Sequence, residues 1–206
     1  TAIQNSVATL SFFIIANFVN RIGGNDAVYT SSASAIVAKY NSFAILPSRA
    51  FSMAISAMVA QNVGKSAFNR VKKTFALGFL LTMIFGVIFA GITLMFSTGI
   101  FIVFNCSGKV IDYGLSFLKI LSVDYLILPL ATSLYGIVNG YGKTYITMIA
   151  SILTSLVLRV PLAYILGISM NLGLFGIGLA MPISTLFSAI FIGLIVLAKR
   201  KQLRLR

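Results

Sequence analysis

The 206-residue chain contains no histidine, one cysteine (Cys106) and three acids, Asp26, Asp112 and Asp124. Each scarcity removes a class of function. A lone cysteine without histidine cannot build a Cys/His zinc site, and one thiol cannot close an internal disulfide. The three carboxylates are scattered, so neither a paired-carboxylate hydrolase nor a carboxylate metal cage has material to work with. No glycine-rich phosphate loop follows a strand. The residues offer no catalytic constellation. The chain reads as a non-enzyme that needs no metal or organic cofactor.

Charge of either sign is sparse as well: 9% of residues are charged and 59% hydrophobic, with a mean hydropathy of +1.02. The apolar residues gather into six stretches, at Ala2–Ile22, Ala35–Val59, Phe75–Phe96, Ile120–Val138, Tyr145–Gly167 and Leu174–Leu197. A hydrocarbon core of ~30 Å takes about 20 helical residues to cross. A soluble all-α protein would alternate apolar and charged faces instead. The fold class is therefore all-α, a polytopic transmembrane bundle of six spans. Residues 1–198 form a six-helix lobe, and residues 199–206 form a basic tail.

The net charge of +13 would suggest nucleic acid in a soluble protein. Its distribution points to the bilayer. Lys65, Arg70, Lys72 and Lys73 follow the second span, Lys143 follows the fourth, and Lys199, Arg200, Lys201, Arg204 and Arg206 form the tail. With alternating spans these share one side. The other side has Arg21 and Lys109 beside Asp26 and Asp112. This asymmetry makes the basic side cytoplasmic. The segment is thus expected in the cell membrane with both ends cytoplasmic, and anionic lipid is the natural contact of the tail. Thr1 is not an initiator methionine, and the first span starts with no basic flank or charged n-region. One half or a fragment of a longer protein is expected.

The spans carry polar stripes, located at ~100° per helical residue. Asn5, Ser6, Thr9, Asn17 and Asn20 share a face of the first span. Ser34, Asn41, Ser48, Ser52 and Ser56 share one on the second, with Arg49 beside them. Thr144, Thr147, Ser151, Thr154, Ser155 and Arg159 share a broad face of the fifth. Single serines and threonines serve helix packing. Three stripes, two of them carrying Arg, point to a cavity, because intramembrane charge faces a cavity or a partner. All four prolines, Pro47, Pro129, Pro161 and Pro182, fall inside spans. They would free the carbonyls of Phe43, Tyr125, Val157 and Gly178, as in the broken helices of transporters or in ordinary packing kinks. Asp124 is the one acid at membrane depth. Tyr135 and Asn139 project near its face, and Lys119 projects to nearly the opposite side. Its candidate counter-charges are Arg49, Arg159 and Lys39. Asp124 either neutralises a buried Arg or binds a cation or proton.

Several motifs in order carry a family resemblance. Met58-Val59-Ala60-Gln61-Asn62-Val63-Gly64-Lys65, followed by Arg70, resembles the loop after the eighth helix of the multidrug and toxic compound extrusion (MATE) family. Pro47 and Ala50 match the proline of that helix. Asn139-Gly140-Tyr141-Gly142-Lys143-Thr144 is similar to the loop before the eleventh helix, and Arg159-Val160-Pro161-Leu162-Ala163-Tyr164 to the Arg-x-Pro-Leu stretch within it. Against the pattern, Ala60 replaces a usual Gly and Lys65-Ser66 a usual Ala-Gly. Asn139 stands where many members have Arg, and Asp124 falls about one turn early.

The resemblance implies the C-terminal half, helices seven to twelve, of a two-lobed alternating-access antiporter. Such a protein exports cationic or amphipathic drugs and toxins in exchange for Na+ or H+. The partners implied are membrane lipid, the small-molecule substrate and a missing N-terminal six-helix lobe, with no nucleic acid. Asn5, Asn17, Asn41, Arg49, Tyr135 and Arg159 become substrate-cavity candidates and Asp124 the coupling candidate. The four prolines become hinges, and Gln61, Asn62, Gly64 and Arg70 the cytoplasmic loop motif. Two other readings stay open. One is a lipid-linked oligosaccharide flippase of the same superfamily, whose pyrophosphate Lys39, Arg49 and Arg159 would suit. The other is an inactive truncated membrane fragment.

Overall fold

A computed structural model describes residues 2–22, 24–106 and 108–198, without the side chains of residues 2–5 and 8. The basic tail and the Asn5 side chain therefore lie outside the described residues. Those described are helical or in short turns, with no strand among them. The first helix, α1, runs Ala2–Ile22. A 3-10 turn at Gly24–Asp26 leads into α2 (Ala27–Ala44) and α3 (Leu46–Gly64). Next come α4 (Phe68–Met95), the short α5 (Ser97–Val103) and the 32-residue α6 (Lys109–Gly140). The following helix alternates geometry: α7 (Thr144–Ile152), a π-helical turn at Leu153–Arg159, α8 (Val160–Tyr164) and a second π-helical turn at Ile165–Ser169. The last helix is α9 (Gly173–Ala198).

Five of these stretches are long and apolar enough to cross a membrane, and in α1 the apolar segment is Thr9–Ile22. The second expected span is the one whose extent changes most. Gly24–Gly64 forms 41 residues of nearly continuous helix, about 60 Å at ~1.5 Å per residue. Hydropathy misses its first third because Tyr29, Thr30, Ser31, Ser32 and Ser34 dilute the apolar signal. The stretch breaks only at Ile45. Pro47 has no N–H to donate and sits in the first turn of α3, where that donor has no helical acceptor. Around it, the Ile45 N–H donates to the Asn41 carbonyl at 3.0 Å and the Arg49 N–H to the Ile45 carbonyl at 3.1 Å.

Helix α6 is the hub and packs against α2, α3, α4, α5 and α9. Small residues let these backbones close in, the general device of membrane helices. On α4, a Cβ at Gly86 would strike the Tyr125 carbonyl oxygen and lie 2.9 Å from Pro129 Cγ. This is the carbonyl that Pro129 leaves without its helical donor. On α6, a Cβ at Gly140 would lie 2.6 Å from Val59 Cβ and 2.8 Å from the Ser56 carbonyl oxygen. Ser52 donates across the same α3–α6 seam to the Thr132 carbonyl at 2.7 Å.

The breaks after α1 and α5 meet at one end of the bundle. There Lys109 Nζ lies 2.9 Å from Asp26 Oδ1, and the Tyr113 hydroxyl donates to Asp26 Oδ2 at 3.0 Å. The hydrogen bond from Lys109, backed by that from Tyr113, holds the Asp26 carboxyl below the usual carboxylate range. Ile22 packs on Gly167 and Gly173 at this end too. The break after α6 lies at the opposite end, beside the last turns of α3.

Candidate functional site

A cavity of about 610 Å³ opens between α1 and the α2–α3 stretch. Its apolar wall includes Phe12, Phe13, Phe117, Leu121 and Met181, and its polar wall includes Thr9, Asn20, Ser31, Asn41 and Arg49. Asn20, Ser31 and Asn41 among these are already hydrogen-bonded. The Ser31 hydroxyl donates to Asn20 Oδ1 at 2.5 Å, and the Tyr125 hydroxyl donates to Asn41 Oδ1 at 3.2 Å. Tyr125 also stacks edge-on with Tyr40, whose hydroxyl pairs with Thr93 at 2.8 Å. The cavity wall is thereby tied through α6 to α4.

The second-span stripe, one face in projection, divides at the bend. Ser34, Asn41 and Arg49 line the cavity, whereas Ser52 turns to the α6 backbone. Asn17 donates to its own helix at the Phe13 carbonyl, 3.0 Å away, and lies outside the lining.

A second polar cluster sits behind the cavity, where α6, the first π-helical turn and α9 meet. Asp124 is 7% exposed and faces the Thr185 hydroxyl and the Arg159 guanidinium. Its Oδ1 has no hydrogen-bond partner among the described residues. Arg159 Nε donates to Ser184 Oγ at 2.9 Å, and Tyr135 pairs with Ser188 at 2.9 Å. Ser184 and Thr185 each donate to the Met181 carbonyl, at 2.8 and 3.0 Å. The wall between cluster and cavity is thin. Met181 belongs to both, and the Phe12 ring, which lines the cavity, lies 5.8 Å from the Arg159 guanidinium.

The sequence candidates therefore sort into two places, with Asn41 and Arg49 in the cavity and Asp124, Tyr135 and Arg159 in the cluster. Of the three counter-charges considered for Asp124, the fold brings Arg159. Lys39 instead lies 6.0 Å from the Phe104 ring, and Lys119 is exposed on the far face of α6. The sequence reading missed Ser184, Thr185 and Ser188. Their spacing on one face of α9, just after Pro182, was the available signal.

Local geometry explains these placements. The first π-helical turn ends at Arg159, two residues before Pro161. Proline frees the carbonyl four residues earlier, and a π turn widens the helix around that gap, a feature frequent at functional sites. Pro129 and Pro182 lie inside α6 and α9, the two helices that carry the rest of the cluster. At the opposite end, the loop motif forms a tight helix stop. The Ser66 N–H donates to the Val63 carbonyl at 2.9 Å and the Ala67 N–H to the Asn62 carbonyl at 2.8 Å, with Ser66 at φ +55°. Asn62 Nδ2 donates to the Met58 carbonyl at 2.8 Å, while Gln61, Gly64 and Arg70 are exposed.

Comparison with known proteins agrees with this architecture. The "Probable multidrug resistance protein YoeA" of Bacillus subtilis is 24% identical over 191 residues, 93% of this chain and 40% of the relative. The solved outward-facing conformation of a multidrug resistance MATE family transporter of the MOP superfamily superposes with a TM-score of 0.86 at 20% identity. That match covers 96% of this chain and 43% of the other. An inward-facing conformation of such a transporter gives 0.86 at 18% identity, covering 99% and 46%. The chain spans 26–40% of the length of the curated relatives it matches. The family model MatE matches residues 1–165, and the chain belongs to that family, the multidrug and toxic compound extrusion transporters.

Proposed function

We propose that the chain is one six-helix lobe of a secondary antiporter that exports amphipathic compounds in exchange for Na+ or H+. Its partners are a second lobe that completes the cavity and the surrounding lipid. The observation that carries this reading is the Asp124 carboxylate, buried at membrane depth with Oδ1 unpartnered beside Arg159. A buried polar oxygen without a donor is costly. A proton or a small cation completes it, and the Thr185 hydroxyl offers a further oxygen. Met181 and Phe12 connect this site to the cavity, so occupancy of one is felt by the other. Equal similarity to outward- and inward-facing structures supports a lobe that moves as a unit. The basic end faces the cytoplasm in this reading.

The test is efflux by the full-length protein compared with Asp124→Asn, under a sodium gradient and a proton gradient separately. Loss of export, or a changed ion dependence, supports coupling at Asp124. Unchanged export with unchanged ion dependence leaves Asp124 a structural counter-charge to Arg159.

A further inference from the structure

Resting on that exporter reading, we propose that the cavity between α1 and α2–α3 holds the acidic group of its cargo on Arg49, so that this lobe selects amphipathic monoanions over cations. Arg49 is the one charged residue among the described residues that line this lobe's face of the cavity. The three acids of the chain are committed elsewhere. Asp26 is bonded to Lys109 and Tyr113, Asp112 is exposed in the first turn of α6, and Asp124 faces Thr185 and Arg159 behind Phe12 and Met181.

Arg49 sits one turn past the bend, near the midpoint of the Gly24–Gly64 stretch. Its side chain is exposed, and a charge within a membrane span faces a cavity or a partner. Among the described residues no hydrogen bond or ion pair engages its guanidinium.

The neighbouring polar groups point the same way. Asn20 Oδ1 already accepts from Ser31 and Asn41 Oδ1 from Tyr125. Both amide oxygens are thus engaged, and neither residue is a charged partner for Arg49. The Arg49 guanidinium supplies charged donors suited to a carboxylate, sulfate or phosphate oxygen. Phe13 and Phe117 offer apolar surface for the rest of the molecule. A quaternary ammonium would meet a like charge on this lobe's face. The Phe12 ring, which could receive a cation, already has Arg159 over it.

The experiment is equilibrium binding to the purified full-length transporter in neutral detergent. The probes are a dansyl-labelled alkyl carboxylate and the matching alkyl trimethylammonium. Wild type is expected to bind the carboxylate more tightly. Arg49→Gln should weaken the carboxylate roughly 10- to 100-fold, the worth of a charge-assisted hydrogen bond, and leave the ammonium unchanged or tighter. Arg49→Lys should fall between, and it also serves if Arg49→Gln does not fold. Equal carboxylate binding by wild type and both variants, or tighter ammonium binding by wild type, overturns the proposal. Displacement of the carboxylate by phosphatidylglycerol, but not by phosphatidylcholine, assigns the anion to lipid and also overturns it. Failure of the exporter reading is seen separately, as no flux of either probe from proteoliposomes under a sodium or a proton gradient.

Discussion

Asp124 and Arg159 stand 35 residues apart in the chain, and no pattern within either helix pairs them. The pairing arises because a π-helical turn ends at Arg159 and turns it toward α6 and α9. The sequence made both residues visible as intramembrane charges but left three cations competing for one acid. Only packing decides among them. If the two charges compensate each other, Arg159→Gln and Asp124→Asn should each destabilise the protein, and the double variant should cost less than the sum. The coupling should be about 1–3 kcal/mol by a thermal double-mutant cycle. Strict additivity would show that the residues act independently. A second residue-scale prediction concerns Ser66. It holds the left-handed position that ends α3, at φ +55°, where a side chain is strained and glycine is not. Ser66→Gly should stabilise the protein by about 1 kcal/mol, read as a raised midpoint of thermal unfolding, with binding unchanged.

At the scale of elements, spans are legible where apolar runs are unbroken. The expected and observed first helices coincide, and the last differs by one residue at each end. Legibility fails where helix continues through polar residues, as in the first third of the Gly24–Gly64 stretch, because hydropathy reports lipid contact and not backbone hydrogen bonding. It also fails for α5, too short to stand out from the neighbouring span. Nor does composition show which small residues bring helices together. Gly86 on α4 and Gly140 on α6 are defined only by what faces them. Gly140→Val should cost about 1–3 kcal/mol through overpacking against Val59 and Ser56, measurable as a lowered unfolding midpoint. Gly91, which faces open space, should tolerate Ala with little change.

The Asp26–Lys109–Tyr113 clasp gives a pH prediction at the same scale. A carboxyl whose value is lowered in the folded state contributes stability above its unfolded value, and that stability is lost as pH falls through the folded one. Hydrogen exchange around residues 24–30 should therefore stay slow at neutral pH and rise only on acidification below 3.8. Asp26→Asn should show the faster exchange already at neutral pH.

At the scale of the whole molecule, the lobe holds two sites that share a wall, and transport asks that they exchange free energy. The cavity opens beside α1 and α2, and the Asp124 cluster, the proposed ion site, lies behind Phe12 and Met181 on α6 and α9. The long apolar runs made the helical membrane architecture readable from sequence. The division of one polar set into two sites was not, because it depends on the bend at Ile45 and on which faces of α6 are covered. The most direct test is substrate flux in proteoliposomes containing the full-length protein, with and without an imposed ion gradient. Asp124→Asn is predicted to keep downhill exchange of substrate while losing accumulation against its gradient. Gradient-driven accumulation by Asp124→Asn equal to that of wild type would contradict the coupling role.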